Sequence, residues 1–343
     1  MDIGGEVPVH TILESYNSLI RQRIISVIKQ TRPCRHLYEP LAKYLTRGGK
    51  RIRPALCLAT AQAMGGSVEL ALNSAVALEL LHNAFLVHDD IEDGSEYRRG
   101  QPTLHAEYGL PMAINVSDAM SAIGARLLLD NRALLGSELS WRIAVEFEHL
   151  GRQSVEGQAM ELGWIRDNVI ELTEADYLRM VLKKTCWYST IHPCRIGGLI
   201  ASLECEADRF NRFGFFFGAA YQIQDDILNI VGEQEIYGKE ICGDLLEGKR
   251  TLMLIHLLNA CGSEERQRIT RFLAIPRAQR ELEEARWLRA QMLDRGSIKY
   301  AESCAVDLAR AAMKESETAY ARGYPGPRQF IRGLVQYAIE RKF

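Results

Sequence analysis

Apolar residues recur every three or four positions through most of the chain, which is the spacing of an α-helix with one buried face. The prolines leave residues 112–192 and 194–275 without a helix breaker, and both intervals are rich in Ala, Leu, Glu and Arg. Alternating β-branched strand patterns and Asn-Gly hairpin turns are missing from the sequence. The pattern therefore predicts an all-α protein that forms a single domain over residues 1–343.

The apolar spacing also gives approximate helix positions, roughly a dozen for a chain of this length. Helices are expected at residues 9–30, 36–46, 53–64, 69–92, 104–132, 138–166, 174–203, 206–232, 250–261, 264–274, 277–291, 295–320 and 327–341. Pro193 should kink or divide the helix over residues 174–203.

One of the apolar helices ends abruptly in carboxylates. Residues 78–87 show helical apolar spacing, and Asp89, Asp90, Glu92 and Asp93 follow at once. Asp89 and Asp93 are four residues apart and share a helix face, so their like charges are unfavourable unless a cation lies between them. Clustered oxygen ligands on a rigid element suit a hard divalent ion such as Mg2+. A single acidic run can also be a solvated surface.

A second acidic pair makes the metal interpretation stronger. Residues 221–229 read YQIQDDILN and place Asp225 and Asp226 on an apolar helix, with Gln222 one turn before them and Asn229 one turn after. Ionised carboxylates are costly away from water unless something compensates their charge. Two such pairs predict two helices that face each other across a cleft that holds metal ions.

Basic residues form a complementary pattern. Residues 48–54 read GGKRIRP, where two glycines allow close backbone approach to an anion and Lys50 and Arg53 add positive charge. Pro54 fits the first turn of the next helix, whose N-terminus favours an anion. Arg98 and Arg99 supply guanidinium groups that can bind phosphate. Further basic candidates are Lys184, Lys239 and Lys249, each of which could also be a solvated side chain.

The charge pattern as a whole indicates diphosphate chemistry. Two acidic helix faces could hold metal ions on one phosphorylated substrate, and the basic groups could hold a second without metal. The helices between these groups are apolar, so the reacting part of the substrate should be hydrocarbon.

Composition and charge argue against several classes of partner and site. The net charge of -2 gives no sign of nucleic acid or of an anionic membrane as a partner. None of the eight cysteines forms a Cys-x-x-Cys pair, so we expect reduced core cysteines and no zinc site. No basic segment followed by an apolar stretch opens the sequence, and the most apolar run, residues 213–223, is too short to span a bilayer. A cytoplasmic protein without stable membrane insertion is expected.

The two acidic motifs make a specific resemblance visible. The chain resembles the trans-isoprenyl diphosphate synthase (polyprenyl synthetase) family, whose all-α members join isopentenyl diphosphate head-to-tail to an allylic diphosphate. HDDIEDGSEYRRG matches the first aspartate-rich motif, with Asp89, Asp90 and Asp93 in its D-D-x-x-D positions, and YQIQDDILN matches the second, with Asp225 and Asp226. The likeness runs from the GGKRIRP loop through at least residue 251, and the helix content suggests that it covers the whole chain.

The resemblance implies a role for each matching residue. Three Mg2+ ions on the allylic diphosphate would be held by Asp89, Asp93 and Asp225, while Asp90 and Asp226 would order waters and neighbouring groups. Contacts to the same diphosphate would come from Arg98, Lys184, Lys239 and Lys249. Isopentenyl diphosphate would be held by Lys50, Arg53, His82 and Arg99. The allylic cation would be stabilised near Lys184, Thr185 and Gln222, and Gln158 also matches a position near the substrates. The family further implies a homodimer.

Product length is expected to depend on the residues just before Asp89. The resemblance places the limit four and five residues upstream, at Phe85 and Ala84. One helical turn changes the depth of the cavity by about 5 Å, close to one isoprene unit. One aromatic and one small residue favour geranylgeranyl diphosphate (C20), with C15 and C25 as alternatives.

Two segments depart from the family pattern. Asn229 stands where the second motif usually has Asp, which removes one negative charge from the expected metal site. Residues 186–193, CWYSTIHP, are bulkier than the small residues common after the Lys-Thr pair, so Trp187 or Tyr188 could shape the cavity. Ordinary core packing is the other interpretation of these aromatics.

Other functions remain open at the level of sequence. A class I terpene cyclase on the same fold would ionise an allylic diphosphate but would need no pocket for isopentenyl diphosphate. Retention of Lys50, Arg53, His82 and Arg99 argues against that alternative. A noncatalytic partner subunit and a plain helical scaffold are disfavoured by the two acidic motifs.

Overall fold

α-Helices make up most of the chain in the computed structural model, which describes residues 8–28, 32–232 and 242–340. The helices are α1 (Val9–Val27), α2 (Glu39–Thr46), α3 (Ile52–Ala63), α4 (Val68–Asp93), α5 (Leu104–Tyr108), α6 (Leu110–Leu135), α7 (Ser137–Arg166), α8 (Glu174–Val181), α9 (His192–Ala201), α10 (Asn211–Val231), α11 (Gly243–Glu247), α12 (Leu252–Ala260), α13 (Ser263–Ala274), α14 (Leu282–Asp294), α15 (Ser297–Ala319) and α16 (Pro325–Ile339). The all-α prediction is confirmed.

Short elements of other kinds connect these helices. They are the π-helical segments Cys34–Tyr38 and Leu182–Ile191, the 3-10 turns Ala207–Phe210 and Arg277–Gln279, and an antiparallel hairpin of β1 (Tyr97–Arg98) and β2 (Gln101–Pro102). Each strand has only two residues, which is too short for an alternating pattern to show in the sequence.

Several predicted helices are interrupted. The helix expected over residues 104–132 breaks at Gly109, whose φ of +82° does not continue a helix, and α6 restarts with a proline in its first turn. The segment expected over 174–203 is divided into α8, the π-helical segment and α9, and Pro193 lies in the first turn of α9. The helix expected over 277–291 begins instead at Leu282.

Helix α4 carries the first acidic motif at a defined end. Its N-terminus is capped by Ser67, whose hydroxyl accepts a hydrogen bond from the Leu70 amide. Gly94 ends the helix in the left-handed conformation, with φ of +62°, and its amide bonds back to the carbonyls of the last turn. Most of α4 is buried. The carboxylates therefore stand at the last turn of a helix fixed along its length.

Close helix contacts place the π-helical segment Leu182–Ile191 between α7 and α10. A Cβ on Gly157 of α7 would lie 2.2 Å from the backbone nitrogen of Lys184. A Cβ on Gly218 of α10 would lie 2.8 Å from the sulfur of Cys186. Only glycine allows approaches of this kind, so these two residues fix how near the flanking helices come.

The core consists of two clusters of buried apolar residues. One cluster is formed largely by α1, α3, α4, α6 and α9 and the other by residues from α8 and α10 to α15. Phe85 and Tyr188 pack against the first cluster, while Tyr177 and Met180 belong to the second, and all four line one cavity. The candidate site therefore has walls from both clusters.

Two helices are long and apolar enough to cross a membrane by length and composition alone. In α4 the most apolar window is 72% buried, as in the core helix of a soluble protein, whereas in α6 it is 33% buried. One or two such helices are a weak indication of membrane insertion.

Candidate active site

A cavity of about 430 Å3 lies between α4, α7, the π-helical segment Leu182–Ile191 and α10. Asp89 from α4 and Asp225 from α10 both line it. Of the other residues expected at the site, the cavity walls include Arg53, His82, Phe85, Arg98, Arg99, Gln158, Lys184, Thr185, Gln222, Asp226 and Lys249. The structure thus brings the two acidic motifs and most of the basic candidates into one space.

At the end of α4, Arg98 is held by two neighbouring aspartates. Its Nε donates to Asp90 at 2.6 Å and its Nη2 to Asp89 at 3.2 Å. Burial lowers the pKa of Arg98, but the attraction of Asp90 and Asp89 outweighs burial and raises it. Asp90 is buried and does not line the cavity. It therefore orients Arg98 from behind, while Asp89 lines the cavity.

Lys184 connects α4 with α7. Its Nζ lies 3.5 Å from Asp89 and forms an ion pair with Glu161, a buried carboxylate on α7. Burial lowers the pKa of Lys184, but Glu161 and Asp89 outweigh it, so the ammonium stays charged. Glu161 is not among the site residues that the sequence predicts. The available signal was its position four residues after Gly157, which places it on the helix face that contacts the π-helical segment.

Lys249 forms a second cationic centre. Its Nζ lies 2.7 Å from Asp93 and 2.6 Å from Glu247. Burial raises the pKa of Asp93 to about 7, although the charge on Lys249 opposes this shift. Asp93 lines an adjoining cavity, whereas its partner Lys249 lines the cavity between α4 and α10. Lys239 lies outside the described residues.

In the second motif, adjacent aspartates differ in environment. Asp226 accepts hydrogen bonds from the Tyr177 hydroxyl at 2.7 Å and from Nε2 of Gln222 at 2.8 Å. Burial raises the pKa of Asp226 to about 7, and these hydrogen bonds oppose the shift. Thr185 donates to Oε1 of Gln222 at 2.8 Å, which fixes the orientation of that amide. Asp225 lines the cavity.

Asn229, the departure in this motif, has a structural contact. Its Oδ1 accepts a hydrogen bond from the backbone amide of Asp244 at 3.0 Å, and its carbonyl accepts from the amide of Cys242. The amide side chain therefore fixes the start of α11 on the end of α10.

The basic loop of residues 48–54 contributes a separate cationic group around Arg53. Nε of Arg53 donates to Ser189 at 3.0 Å, and its Nη1 lies 3.2 Å from Nε2 of His82. Burial lowers the pKa of His82 well below its usual range and Arg53 lowers it further, so the imidazole is neutral at pH 7. Arg99 lines the same wall and donates to the carbonyl of Gly48.

Besides Asp90 and Asp93, two more of the expected site residues do not line the cavity. Lys50 is exposed, and its ammonium lies 5.6 Å from the centre of the Tyr337 ring. Ala84 is fully buried, and its carbonyl accepts a hydrogen bond from Ser117 of α6 at 3.1 Å. Phe85, its neighbour, does line the cavity.

The carboxylates suit a metal ion whose remaining ligands come from substrate phosphates. Among the described residues, no three His, Cys, Asp or Glu side chains converge closely enough to hold an ion by themselves. Mg2+ is usually held by one or two carboxylates together with substrate phosphates. Asp89 and Asp225, which come from opposed helices, match this chemistry.

Comparison with known proteins identifies relatives over nearly the whole chain. Residues 34–291 match the family model described as polyprenyl synthetase. A geranylgeranyl diphosphate synthase of Sulfolobus acidocaldarius is 31% identical over 96% of this chain and 97% of its own. A geranylfarnesyl diphosphate synthase of Aeropyrum pernix is also 31% identical, over 86% of this chain and 91% of its own. The crystal structure of a polyprenyl synthase from Caulobacter crescentus, complexed with calcium and isoprenyl diphosphate, covers 98% of this chain and 99% of its own, with 25% identity and a TM-score of 0.85.

Proposed function

The chain belongs to the polyprenyl synthetase family and is a prenyltransferase, and from that premise we propose that it condenses isopentenyl diphosphate head-to-tail (1'-4) with an allylic diphosphate to give mainly geranylgeranyl diphosphate. The observation that carries the proposal is that Asp89 and Asp225, from two different helices, line one cavity whose walls also include aromatic and apolar side chains such as Phe85 and Met180. We further propose that residues 1–343 act as one catalytic domain.

The allylic diphosphate is assigned to the acidic end of the cavity. Asp89, Asp93 and Asp225 would hold divalent metal ions there, three Mg2+ as the family resemblance implies. When bound, the metal neutralises charge on the diphosphate and so assists its departure. Arg98, Lys184 and Lys249, with Lys239 from the sequence, would contact the same group.

These cations perform electrostatic stabilisation. Arg98 and Lys184 are each fixed by a carboxylate, Asp90 and Glu161 respectively, before substrate arrives. Donors that are already oriented stabilise charge developing on a leaving group without reorganising during the reaction. The allylic carbon then becomes cationic, and carbonyl oxygens near Lys184 and Thr185, with the amide of Gln222, would disperse its charge.

Isopentenyl diphosphate is assigned to the wall around Arg53, His82 and Arg99, with Lys50 as a further contact implied by the family resemblance. Its double bond attacks the allylic cation, and the new carbon–carbon bond leaves a cation that loses a proton. The diphosphate released in the first step takes that proton, so no side-chain base is required. The neutral state of His82 allows it to accept a hydrogen bond from Arg53 in this pocket.

A C20 product is supported by one aromatic residue in the cavity wall one turn before Asp89, and by the name of the Sulfolobus acidocaldarius relative. The name of the Aeropyrum pernix relative supports a C25 product, and C15 remains the shorter alternative. Ala84 influences product length in this proposal through its small size beneath α6 rather than by lining the cavity.

A terpene cyclase on the same fold is the second candidate function. It would use the acidic end of the cavity alone. The buried arrangement of Arg53 with Ser189 and His82 supports a second diphosphate pocket and therefore favours prenyl transfer.

We also propose that the protein is a cytoplasmic homodimer without stable membrane insertion. Large apolar side chains are exposed along α6 and α7, namely Leu110, Ile114, Leu129, Leu134, Trp141, Val145 and Val155. Exposed apolar surface of this extent is typical of an interaction site, and the family resemblance implies a second copy as its partner. Sedimentation at twice the monomer mass is expected, and a monomer at micromolar concentration would contradict the dimer.

One assay tests the reaction. The purified protein is incubated with Mg2+, isopentenyl diphosphate and allylic primers of five, ten and fifteen carbons, and the products are identified by mass. A linear diphosphate of twenty carbons is expected from each accepted primer. A cyclised hydrocarbon formed without consumption of isopentenyl diphosphate would select the cyclase instead.

A further inference from the structure

Helix α4 and the π-helical segment Leu182–Ile191 meet at two successive levels of the cavity. At the polar level, Lys184 lies 3.5 Å from Asp89. Four residues earlier on α4 and four residues later on the π-helical segment, Phe85 and Tyr188 meet with ring centres 5.8 Å apart and an interplanar angle of 88°. An aromatic pair therefore lies directly beyond the charged pair, and both rings line the cavity.

Tyr188 is also fixed from the side of the basic loop. Nη2 of Arg53 donates to the Tyr188 hydroxyl at 3.0 Å, and the guanidinium carbon of Arg53 lies 4.6 Å from the ring centre. The His82 ring lies 5.8 Å from the same ring. Tyr188 is thus in contact with Arg53, His82 and Phe85.

The contacts of Tyr188 differ from those of an aromatic side chain that only packs against its neighbours. Tyr188 is partly buried, and its hydroxyl has a polar partner, as tyrosine hydroxyls in such positions usually do. Here the partner is Arg53, a cation assigned to substrate. The neighbouring Trp187 shows the contrast: it packs against His149 and His192, with ring centres 4.6 and 5.1 Å away, and does not line the cavity. Two adjacent aromatics therefore face different environments.

We propose that Tyr188 is a specificity-determining residue, whose ring forms with Phe85 the floor that stops the growing hydrocarbon. Its hydroxyl holds Arg53 in position for isopentenyl diphosphate, so one side chain serves both substrates. The inference rests on the proposed prenyl transfer and names a determinant of its product length. Edge-to-face contact makes the two rings a single barrier, and removal of either one opens it.

Two substitutions separate the ring from the hydroxyl. Tyr188→Ala removes the ring, and its products should lengthen by at least one five-carbon unit, as should those of Phe85→Ala. The double variant should extend the chain no further than the longer of the two single variants. Tyr188→Phe keeps the ring, so product length should stay the same while KM for isopentenyl diphosphate rises about fivefold, which corresponds to the loss of one hydrogen bond.

Trp187→Leu is the matched control, and its products should equal those of the wild type. Circular dichroism melting establishes that each variant is folded, and Tyr188→Leu replaces the alanine variant if that one is not. Unchanged product length in the folded alanine or leucine variant overturns the floor, and an unchanged KM in Tyr188→Phe overturns the link to Arg53. A wild-type protein that makes no linear prenyl diphosphate refutes the proposed function itself, which is a distinct result.

Discussion

Replacing Asp89 with Asn tests the metal assignment, because the structure separates its effect on catalysis from its effect on stability. The Asp89 side chain is 20% exposed and pairs with Arg98 and Lys184. Each of these cations keeps a second carboxylate partner, Asp90 at 2.6 Å and Glu161 respectively. Loss of an ion pair that is partly exposed typically costs up to about 1 kcal/mol. In a chain of this size we therefore expect the Tm to fall by less than about 4 °C.

Turnover should respond much more strongly than stability. Removing one group that stabilises developing charge in an active site typically lowers kcat about 10^2- to 10^3-fold. Asp89→Asn should show such a loss together with a higher Mg2+ concentration for half-maximal rate. Rates are measured with radiolabelled isopentenyl diphosphate over a Mg2+ titration, and circular dichroism melting follows the fold.

A surface ion pair supplies the control for this experiment. Asp130 on α6 pairs with Arg126, and both side chains are exposed, so Asp130→Asn should leave rate and Mg2+ dependence unchanged. Wild-type turnover and wild-type Mg2+ dependence in Asp89→Asn would refute the assignment of this carboxylate to the metal.

Three further predictions address other parts of the molecule. Chelation of divalent ions should abolish turnover without changing the circular dichroism spectrum, and added Mg2+ should restore it. Burial raises the pKa of Glu146, but hydrogen bonds from Arg195 and a buried histidine outweigh burial and lower it to about 2. Because this folded-state pKa lies below the unfolded value, Glu146→Gln should lower the free energy of unfolding, measured in urea at pH 7, by roughly 3 kcal/mol. The difference between variant and wild type should shrink as the pH falls from about 4.5 towards 2. Gly157→Ala should move the backbone of Lys184 and lower both Tm and kcat, whereas Gly151→Ala, which meets open space on the same helix, should lower neither.

The features that could be predicted from the sequence are those contained within a single helix. Helical spacing placed Asp89 on the cavity side of α4, and the turn that ends this helix is signalled by Gly94, the next residue after the acidic run. The same reasoning gave the family and the all-α fold, because both depend on patterns contained within single helices. Adjacent aspartates on a helix point in different directions, and Asp90 accordingly lies behind the cavity wall against Arg98.

Features that depend on contacts between distant helices could not be predicted in this way. Glu161 meets Lys184 only because Gly157 lets α7 approach the π-helical segment closely. The spacing of Gly157 and Glu161 indicates a shared helix face but not the segment that this face contacts. The π-helical register of residues 182–191 is likewise invisible in the apolar spacing. Tyr188 was one of two adjacent bulky residues in the sequence, and only the packing shows which of them faces the cavity.

The balance of charge at the acidic end supports the proposal that divalent ions accompany the diphosphate in this cavity. The cations that line it are Arg98, Lys184, Lys249 and Arg250, whereas the carboxylates that line or contact it are Asp89, Asp90, Glu92, Asp93, Glu161, Asp225, Asp226, Asp244 and Glu247. Three of the cations are already paired with carboxylates, so a diphosphate that arrives alone meets net repulsion. The pKa of Asp93 and of Asp226 is raised to about 7, first by burial and further by neighbouring carboxylates. In the proposed reaction, divalent ions held by Asp89 and Asp225 would offset this repulsion and would supply positive charge to the leaving diphosphate.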